Sequence, residues 1–384
     1  MSKHRLKRRW MWVIPLVMLL AAALACGPFG GGGEEPTPEE DAGVTPEEIV
    51  EPTAEPVTVE AVEKPTAAPP TATPPPSNLI TAANAASLEV LRYGTVSETV
   101  LLAASASPTA RQFATFGFDK VVRIWDPDTG NLLREMTGSG DYGYGLAYSP
   151  DGSRLASTGG YHVYIWDPAT GAQVHDVIVN SFAFRVVWSP DGSRLAVVGG
   201  GSSRIEIINA EKGVLLADEE LQNPERRVLW AVAYAPDGSL LATGDGDGRV
   251  HVLDSASTEV VFESTTATRG ATWDLEFSPD GSMLASCHSG GGVFIWNTSD
   301  WSIVLSGDDL FAGGCTDGTF SVGSDVYFAV GADGHLYGWD MSAGGDPLVD
   351  ITGDVQLWMV SMSGDGEFLV VALDDGTAGV VGLR

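Results

Sequence analysis

The sequence predicts an all-β fold in which seven similar four-stranded units close into a single β-propeller. Two features that recur in step along the chain support this prediction. The first is an apolar residue, usually tryptophan, followed by Asp or Asn, which returns every 41 to 45 residues. Its positions are Trp125, Trp166, Ile208, Leu253, Trp296 and Trp339. A period of about 40 to 45 residues is typical of propeller blades.

The second feature is a turn sequence that lies upstream of each tryptophan position. It reads Ser-Pro-Asp-Gly at 149–152, 189–192 and 278–281, Ala-Pro-Asp-Gly at 235–238 and Ser-Gly-Asp-Gly at 363–366. Proline presets one turn dihedral and Asp-Gly allows a tight corner, so each copy predicts a hairpin between two buried strands. The first and sixth units carry Ser107-Pro108-Thr109-Ala110 and the segment 321–324 instead.

Residues 79–384 are predicted to form this propeller, because their length divided by a period near 43 gives about seven units. The chain stops at Arg384, just after the third strand of the last unit, with Leu383 at the tryptophan position. We expect residues 87–91 to supply the missing fourth strand and close the ring, which removes an open sheet edge. A six-unit ring with a degenerate first unit is the alternative.

With these two recurring features, the sequence resembles the WD-repeat (WD40) β-propeller family over essentially all of residues 79–384. The resemblance implies that partners bind at the rim where the first strand of each blade begins. The family usually has a Gly-His pair before each first strand, whose histidine bonds an aspartate in the turn between second and third strands. Asp119, Asp247 and Asp333 stand at that turn position, but the matching loops lack Gly-His, so we expect this hydrogen-bonded network to be absent.

The first 25 residues have the features of a signal peptide. Five basic residues between positions 3 and 9 precede a short apolar run that ends in small residues. Ala23-Leu24-Ala25-Cys26 resembles the lipobox of bacterial lipoproteins, which implies cleavage before Cys26 and lipid attachment to its thiol. The protein would then be lipid-anchored on the extracytoplasmic face of the bacterial cell membrane. An uncleaved transmembrane helix over residues 10–29 is the alternative.

Residues 26–78 are predicted to form a disordered acidic tether. They contain 12 prolines, 11 acidic residues and a single basic residue, Lys64. Such a segment cannot bury enough apolar surface to offset its ordering entropy. The whole chain has a net charge of −30, and about −35 without the basic residues of the signal. This charge disfavours a nucleic-acid partner and is typical of a soluble monomer.

Five aromatic residues occupy equivalent places near the start of the first strands, and they are the candidate partner-binding site. They are Tyr144, Phe184, Trp230, Trp273 and Trp358. Because equivalent positions of a propeller form a ring at one rim, we expect these side chains to surround the channel mouth, where partly exposed aromatics are enriched in interfaces. Arg185 and Asp274, each next to one of them, would tune the site. Packing between blades is the alternative role.

No catalytic motif is visible, and the five histidines that follow the signal have no metal-ligand spacing. The Asp-Gly clusters do not fit a calcium loop and are expected to form turns. We therefore expect no enzyme activity, cofactor or metal, and predict a membrane-tethered binding or scaffold protein with an unknown protein partner. One alternative is an exported propeller hydrolase or lyase, indicated by two carboxylates and a histidine in one pocket. Another is a receptor for carbohydrate or a calcium-linked ligand, indicated by exposed aromatics beside aspartates.

Two cysteines follow Cys26, and they are expected to lie toward one face of neighbouring blades. Cys287 follows a second strand and Cys315 opens the next first strand. An exported compartment permits a disulfide between them, provided that the Cα atoms lie within about 7 Å. Free buried thiols are the alternative.

Overall fold

The computed structural model describes residues 78–97, 99–142, 144–200, 203–220, 228–264, 270–307 and 309–384. The predicted signal peptide, Cys26, residues 26–77 of the tether and the alternative helix over residues 10–29 lie outside the described residues. Within the described ranges, no helix has the length and apolar character needed to cross a membrane.

The described residues confirm an all-β, seven-bladed propeller, because their 28 strands form seven antiparallel four-stranded sheets. A 3-10 turn, Ala85–Ser87, comes first. The strands of blades 1 and 2 are β2 (Leu101–Ala106), β3 (Phe113–Gly117), β4 (Val122–Trp125), β5 (Leu132–Met136), β6 (Leu146–Tyr148), β7 (Leu155–Gly159), β8 (His162–Trp166) and β9 (Gln173–Ile178). The strands of blades 3 and 4 are β10 (Phe182–Trp188), β11 (Arg194–Gly200), β12 (Arg204–Asn209), β13 (Val214–Glu220), β14 (Leu229–Tyr234), β15 (Leu240–Asp245), β16 (Val250–Asp254) and β17 (Val260–Glu263). The strands of blades 5 to 7 are β18 (Thr272–Phe277), β19 (Met283–His288), β20 (Val293–Asn297), β21 (Ile303–Gly307), β22 (Cys315–Phe320), β23 (Val326–Gly331), β24 (His335–Asp340), β25 (Val349–Thr352), β26 (Leu357–Met362), β27 (Phe368–Leu373), β28 (Thr377–Gly382) and β1 (Glu89–Thr95).

The last blade takes its outer strand from the start of the domain, as predicted. Strand β1 pairs antiparallel with β28, with Glu89 opposite Gly382. The strand begins two residues later than predicted, because Ser87 belongs to the 3-10 turn. The six-bladed alternative is wrong, since blade 1 is complete.

One position in the predicted repeat is also wrong. Strand pairing places Val381, and not Leu383, at the place that Trp339 has in blade 6, because Trp339 lies opposite Tyr327 as Val381 lies opposite Leu369. Without a tryptophan to mark it, the last copy of the motif can be shifted along the sequence without changing the apolar pattern.

The core lies between adjacent sheets, and each main apolar cluster joins two neighbouring blades. Between blades 1 and 2, for example, Phe116 and Trp166 are buried in one cluster. The indole Nε1 of Trp166 donates to Ser157 Oγ at 2.9 Å, which satisfies its buried polar atom. Stacking of one sheet on the next therefore holds the ring together and places the first strands around a central channel.

Two of the three turn aspartates, Asp119 and Asp333, bind donors other than histidine. The Asp119 carboxylate accepts from the hydroxyl of Ser97, in the loop that enters blade 1, at 2.9 Å. The Asp333 carboxylate accepts from the backbone N–H of Ala312 at 2.7 Å. A serine hydroxyl and a backbone N–H thus donate to these aspartates, whereas a histidine usually does so in the family that the sequence resembles.

Candidate partner-binding rim

A β-bulge near the start of the first strand creates the ring of side chains at the channel mouth. In six blades the register between first and second strands shifts by one residue there. The extra residue is unpaired and the strand bends, which redirects its side chain. Tyr144 holds the corresponding place in blade 2, two residues before Leu146. The seven ring residues are Leu102, Tyr144, Phe184, Trp230, Trp273, Thr316 and Trp358.

The structure brings the five predicted aromatic residues together. All seven ring residues, with Arg185 and Met359, line one pocket at the channel mouth. Its free volume is about 50 Å³, which is room for a few water molecules only. A ligand would therefore rest on this ring of side chains and would not be enclosed by it.

The aromatic residues differ in exposure. Tyr144, Phe184 and Trp358 are buried, whereas Trp230 and Trp273 are half-buried. The Phe184 ring stacks on Trp230 of the next blade, with centroids 4.4 Å apart and planes at 2°. The residues therefore pack between blades and line the pocket at the same time, so that both predicted roles describe the same side chains.

The aromatic cluster continues outward over blades 1 to 3. Phe118 contacts Tyr142 at a centroid distance of 5.1 Å, and Tyr142 contacts Tyr144 at 6.1 Å. On the other side Tyr161, 51% exposed, contacts Phe182 at 5.8 Å. We name this cluster the aromatic rim surface; it consists of Phe118, Tyr142, Tyr144, Tyr161, Phe182, Phe184 and Trp230.

Four residues of this surface were not predicted from the sequence. Tyr142 and Phe182 stand two residues before predicted members, and this spacing was a usable signal. Phe118 and Tyr161 come from turns between second and third strands. Those turns reach the same rim because the second strand runs back toward the start of the first.

Beneath the ring, Arg185 of blade 3 crosses the channel. Its Nη2 lies 2.9 Å from Asp317 Oδ1 of blade 6 and 3.4 Å from Asp274 Oδ1 of blade 5. The same nitrogen donates to the carbonyl of Trp273 at 3.2 Å, and Nη1 donates to the sulfur of Met359 at 3.4 Å. One guanidinium thus closes the channel and ties blade 3 to three blades on the opposite side.

The carboxylates around Arg185 also complete the channel wall. In blades 1, 2, 6 and 7, N–H groups on the inner edge of the first strand donate to side chains of the preceding blade. The Asp274 carboxylate accepts from Gly318 N at 3.1 Å, and the Asp317 carboxylate from Val360 N at 2.9 Å. Asp274, predicted to tune the site, therefore orients Arg185 and joins blade 5 to blade 6.

Three carboxylates lie close together in the channel wall, and two of them, Asp274 and Asp317, contact the Arg185 guanidinium. Burial, followed by the charge of Asp274, raises the pKa of Glu276 well above its usual value. The pKa of Asp317 is raised for the same two reasons, although Arg185 acts against them. Burial lowers the pKa of Arg185, but the charges of Asp317 and Asp274 outweigh it and raise that pKa. Protonation of a carboxyl group here relieves repulsion that the guanidinium alone cannot cancel.

One buried polar atom of the ring residues makes no hydrogen bond with the described residues. The hydroxyl of Tyr144 is buried and has no hydrogen-bond partner among the described residues. Burial raises the pKa of this phenol, so the group stays a neutral donor. A buried polar atom without a partner is uncommon, and four other side chains of the described residues share this feature.

The two cysteines lie directly behind the ring. Their Cα atoms are 5.2 Å apart, within the range that a disulfide spans, and the sulfur atoms are within bonding distance. Cys287 pairs with Asp274 across strands β18 and β19, and Cys315 precedes Thr316 of the ring. Both are buried. The geometry needed for the predicted disulfide is present, whereas Cys26 lies outside the described residues.

The histidines lie in different blades and make structural contacts there. His162 Nδ1 lies 2.6 Å from Asp176 Oδ1 in blade 2, and His335 Nδ1 lies 2.8 Å from Asp350 Oδ1 in blade 6. No histidine is among the described residues that line the rim pocket. In the part of the chain that the structure describes, no group of three or more His, Cys, Asp or Glu residues is arranged to hold a metal ion.

Comparison with known proteins agrees with the repeats. The family described as "WD domain, G-beta repeat" matches residues 130–167, 220–254 and 262–297. Nuclear distribution protein PAC1 of Mycosarcoma maydis is 44% identical over 54 residues, 14% of this chain and 12% of that protein. WD repeat and SOCS box-containing protein 1 of Xenopus tropicalis is 43% identical over 51 residues, 13% of this chain and 12% of that protein. Each match therefore spans about an eighth of the relative's length. Three segments of the chain therefore match WD repeats, and the described residues fold as a seven-bladed propeller.

Proposed function

We propose that this chain is a non-catalytic binding protein that holds a protein partner on the aromatic rim surface. The observation that carries the proposal is the continuous cluster of seven aromatic rings, from Trp230 at the channel mouth to the exposed Tyr161. Tyrosine and tryptophan are enriched at the energetic centres of protein interfaces, where rings are half-buried before the partner arrives.

The geometry favours a protein over a carbohydrate. Sugar rings stack on open aromatic faces, but here Phe184 and Trp230 cover each other's faces. Tyr144 meets both Tyr142 and Phe184 edge to face. A receptor for carbohydrate or a calcium-linked ligand was expected to expose its aromatics beside aspartates, yet three of the five predicted rings are buried.

The geometry also does not favour an exported hydrolase or lyase. Such an enzyme was expected to place two carboxylates and a histidine in one pocket. The channel wall does contain carboxylates, but Asp274 and Asp317 bind Arg185, and all three, with Glu276, accept from backbone N–H groups of the next blade. They therefore serve the channel wall.

The membrane part of the proposal rests on the N-terminal sequence. We propose that a lipid on Cys26 anchors the chain outside the cytoplasm and that residues 26–78 tether the propeller at a distance from the membrane. Metabolic labelling with palmitate is expected to mark the wild type and not Cys26→Ser. Label that persists in the variant would contradict lipid attachment at this residue and would leave the transmembrane alternative.

Site-specific photocrosslinking tests the binding surface. A photoreactive phenylalanine analogue placed at Tyr161 is expected to give a defined covalent adduct with a second protein in cells. The matched control places the same analogue at Leu133 on β5, which is apolar and 49% exposed but lies away from the rim. Equal adducts at both positions, or none at Tyr161, would contradict the proposal.

A proximity-labelling experiment tests the channel-mouth residues. The partner found with the membrane-bound wild type should be depleted when Trp230 and Trp273 are both changed to alanine. Circular dichroism of the variant controls for folding. Unchanged enrichment of the partner by a folded variant would assign the two tryptophans to blade packing alone.

A further inference from the structure

A second surface of the propeller contains an apolar cleft between blades 6 and 7. It has a free volume of about 380 Å³, far larger than the rim pocket. Its walls are aliphatic side chains from both blades, among them Leu336, Ile351, Val371 and Val381. It lies outside the ring of first-strand residues that forms the proposed binding rim.

The cleft exists because two aromatic rings that fill the preceding interface have no counterpart here. Between blades 5 and 6, Phe311 is buried and packs against Tyr337 with centroids 5.1 Å apart. Tyr337 is the third residue of β24, and the third residue of β28 is Gly379. Gly353 stands in the place of Phe311: its N–H donates to the carbonyl of turn residue Gly334 at 2.8 Å, as the N–H of Phe311 donates to the carbonyl of Gly291 at 3.3 Å. Two glycines therefore leave open the space that two rings occupy in the neighbouring interface.

The mouth of the cleft is acidic. Asp354 and Asp375 line it and are exposed, together with the hydroxyls of Thr352 and Thr377. The Asp375 carboxylate accepts from Thr377 N at 3.2 Å and from its hydroxyl at 2.6 Å. No lysine or arginine is among the described residues that line the cleft. Its surface is thus aliphatic inside and anionic at the opening.

We propose that this cleft binds a small amphipathic cation, namely an aliphatic chain that carries a protonated amine. Aliphatic walls contribute about 0.8 kcal/mol per buried methylene group, which favours the hydrocarbon part. The two carboxylates at the mouth attract the ammonium group and repel a fatty carboxylate. The same charge argues against the chain's own acidic tether, or a second copy with a net charge of −30, as the occupant.

Calorimetric titration of the purified full chain with three probes of equal length tests the proposal. These are n-hexylammonium, 1-hexanol and hexanoate, which differ only in the charge of the head group. We expect saturable binding of hexylammonium, about two- to five-fold weaker binding of hexanol, and the weakest binding of hexanoate. The absence of saturation by hexylammonium, or equal binding of all three probes, would overturn the proposal.

Two variants separate the cleft from unspecific partition. Asp354→Lys, at an exposed position, should reverse the order so that hexanoate binds better than hexylammonium. The matched control Asp346→Lys changes an exposed aspartate outside the cleft and should keep the wild-type order. Val355→Phe puts a larger side chain into the cleft, which Val355 lines, and should weaken binding of all three probes at least about ten-fold. If Val355→Phe does not fold, the Asp354→Lys result decides alone, and an unchanged order of probes in that variant would refute the site.

Discussion

The two ends of the inner strands differ in how their residues repeat. At the lower rim, where first strands turn into second strands, Gly152 and Gly192 both have φ of +70°. The carboxylates of Asp151 and Asp191 each accept from a serine hydroxyl at 2.6 Å in the same way. At the upper rim, which is the channel mouth where the first strands begin, the bulged residue is different in most blades. At the lower rim, where the blades repeat the same residues, the turns satisfy their own polar groups. At the upper rim, where the residues differ between blades, the side chains remain available to contact another molecule.

The two rims also differ in how they hold an arginine. Arg111 at the lower rim pairs with Asp128 at 2.7 Å and with Glu367 at 2.8 Å, and its side chain is 41% exposed. Arg185 at the upper rim is 17% exposed and faces carboxylates that water cannot solvate freely. Water screens an exposed ion pair, whereas a buried one has no substitute for its partner.

The largest expected effect comes from exchanging these two arginines separately for methionine. Arg185→Met leaves a group of buried carboxylates without a cation and should lower the free energy of unfolding by about 3 to 5 kcal/mol. Arg111→Met should lower it by about 1 kcal/mol or less. Urea unfolding at neutral pH measures both. Equal losses would mean that burial does not distinguish the two rims.

The next effect concerns the lower turns. Gly192→Ala should cost about 1 to 2 kcal/mol, because alanine is disfavoured at a φ of +70° although there is room for its methyl group. Gly246→Ala at an upper turn is the matched control, since that glycine does not have a positive φ and its nearest neighbour would lie 3.6 Å away. Thermal unfolding compares them, and a greater loss in the control would contradict the assignment of strain to the lower turn.

The pH dependence of stability should have opposite signs for an exposed turn aspartate and for a glutamate in the channel wall. The Ser149 hydroxyl and backbone donors lower the pKa of Asp151 to about 2, so its contribution is present above about pH 4 and is lost as pH falls through about 2. The raised pKa of Glu276 means that its contribution is full below the unfolded pKa of about 4.5 and is lost as pH rises through the folded value.

Glu276→Gln should therefore flatten the decline of stability above about pH 4.5, and Asp151→Asn should flatten the loss of stability in acid. Urea unfolding midpoints from pH 2 to 8 provide the measurement. If the unfolding midpoint of Glu276→Gln falls above pH 4.5 as much as that of the wild type, Glu276 has the same pKa in the folded and the unfolded protein, which contradicts the prediction.

The smallest expected effect concerns single hydroxyl groups at the upper rim. Tyr144→Phe removes a buried hydroxyl that has no partner among the described residues, so stability should stay equal or rise slightly. Tyr164→Phe removes the acceptor of Gly140 N, at 2.8 Å, and should cost about 1 kcal/mol. Chemical denaturation distinguishes them. A clear loss of stability in Tyr144→Phe would mean that the hydroxyl has a partner within the folded chain.

Much of the candidate site was predictable because a propeller converts sequence period into a ring. Tyr144, Phe184, Trp230, Trp273 and Trp358 are equivalent in the repeat, and seven-fold arrangement brings equivalent positions to one rim. The two cysteines were placed on neighbouring blades by the same argument.

The remaining contacts could not be predicted, since they join positions that are not equivalent. Phe118 and Tyr161 reach the rim from turns, and no period relates them to Tyr144. Arg185 meets Asp317 across the channel, 132 residues later in the chain. The misplacement of the last motif copy at Leu383 has a similar cause, because only strand pairing shows that Val381 is the equivalent residue.

The sequence by itself determined the number of blades, the closing strand and the ring of aromatic positions. Strand alternation and turn residues act over a few neighbours, and their repetition is legible in a linear chain. The tertiary structure alone decided that Arg185 closes the channel and that three aromatic rings are buried while two stay half-exposed. It also decided that two glycines, Gly353 and Gly379, leave a cleft between blades 6 and 7. These features depend on how sheets far apart in sequence pack when the ring closes.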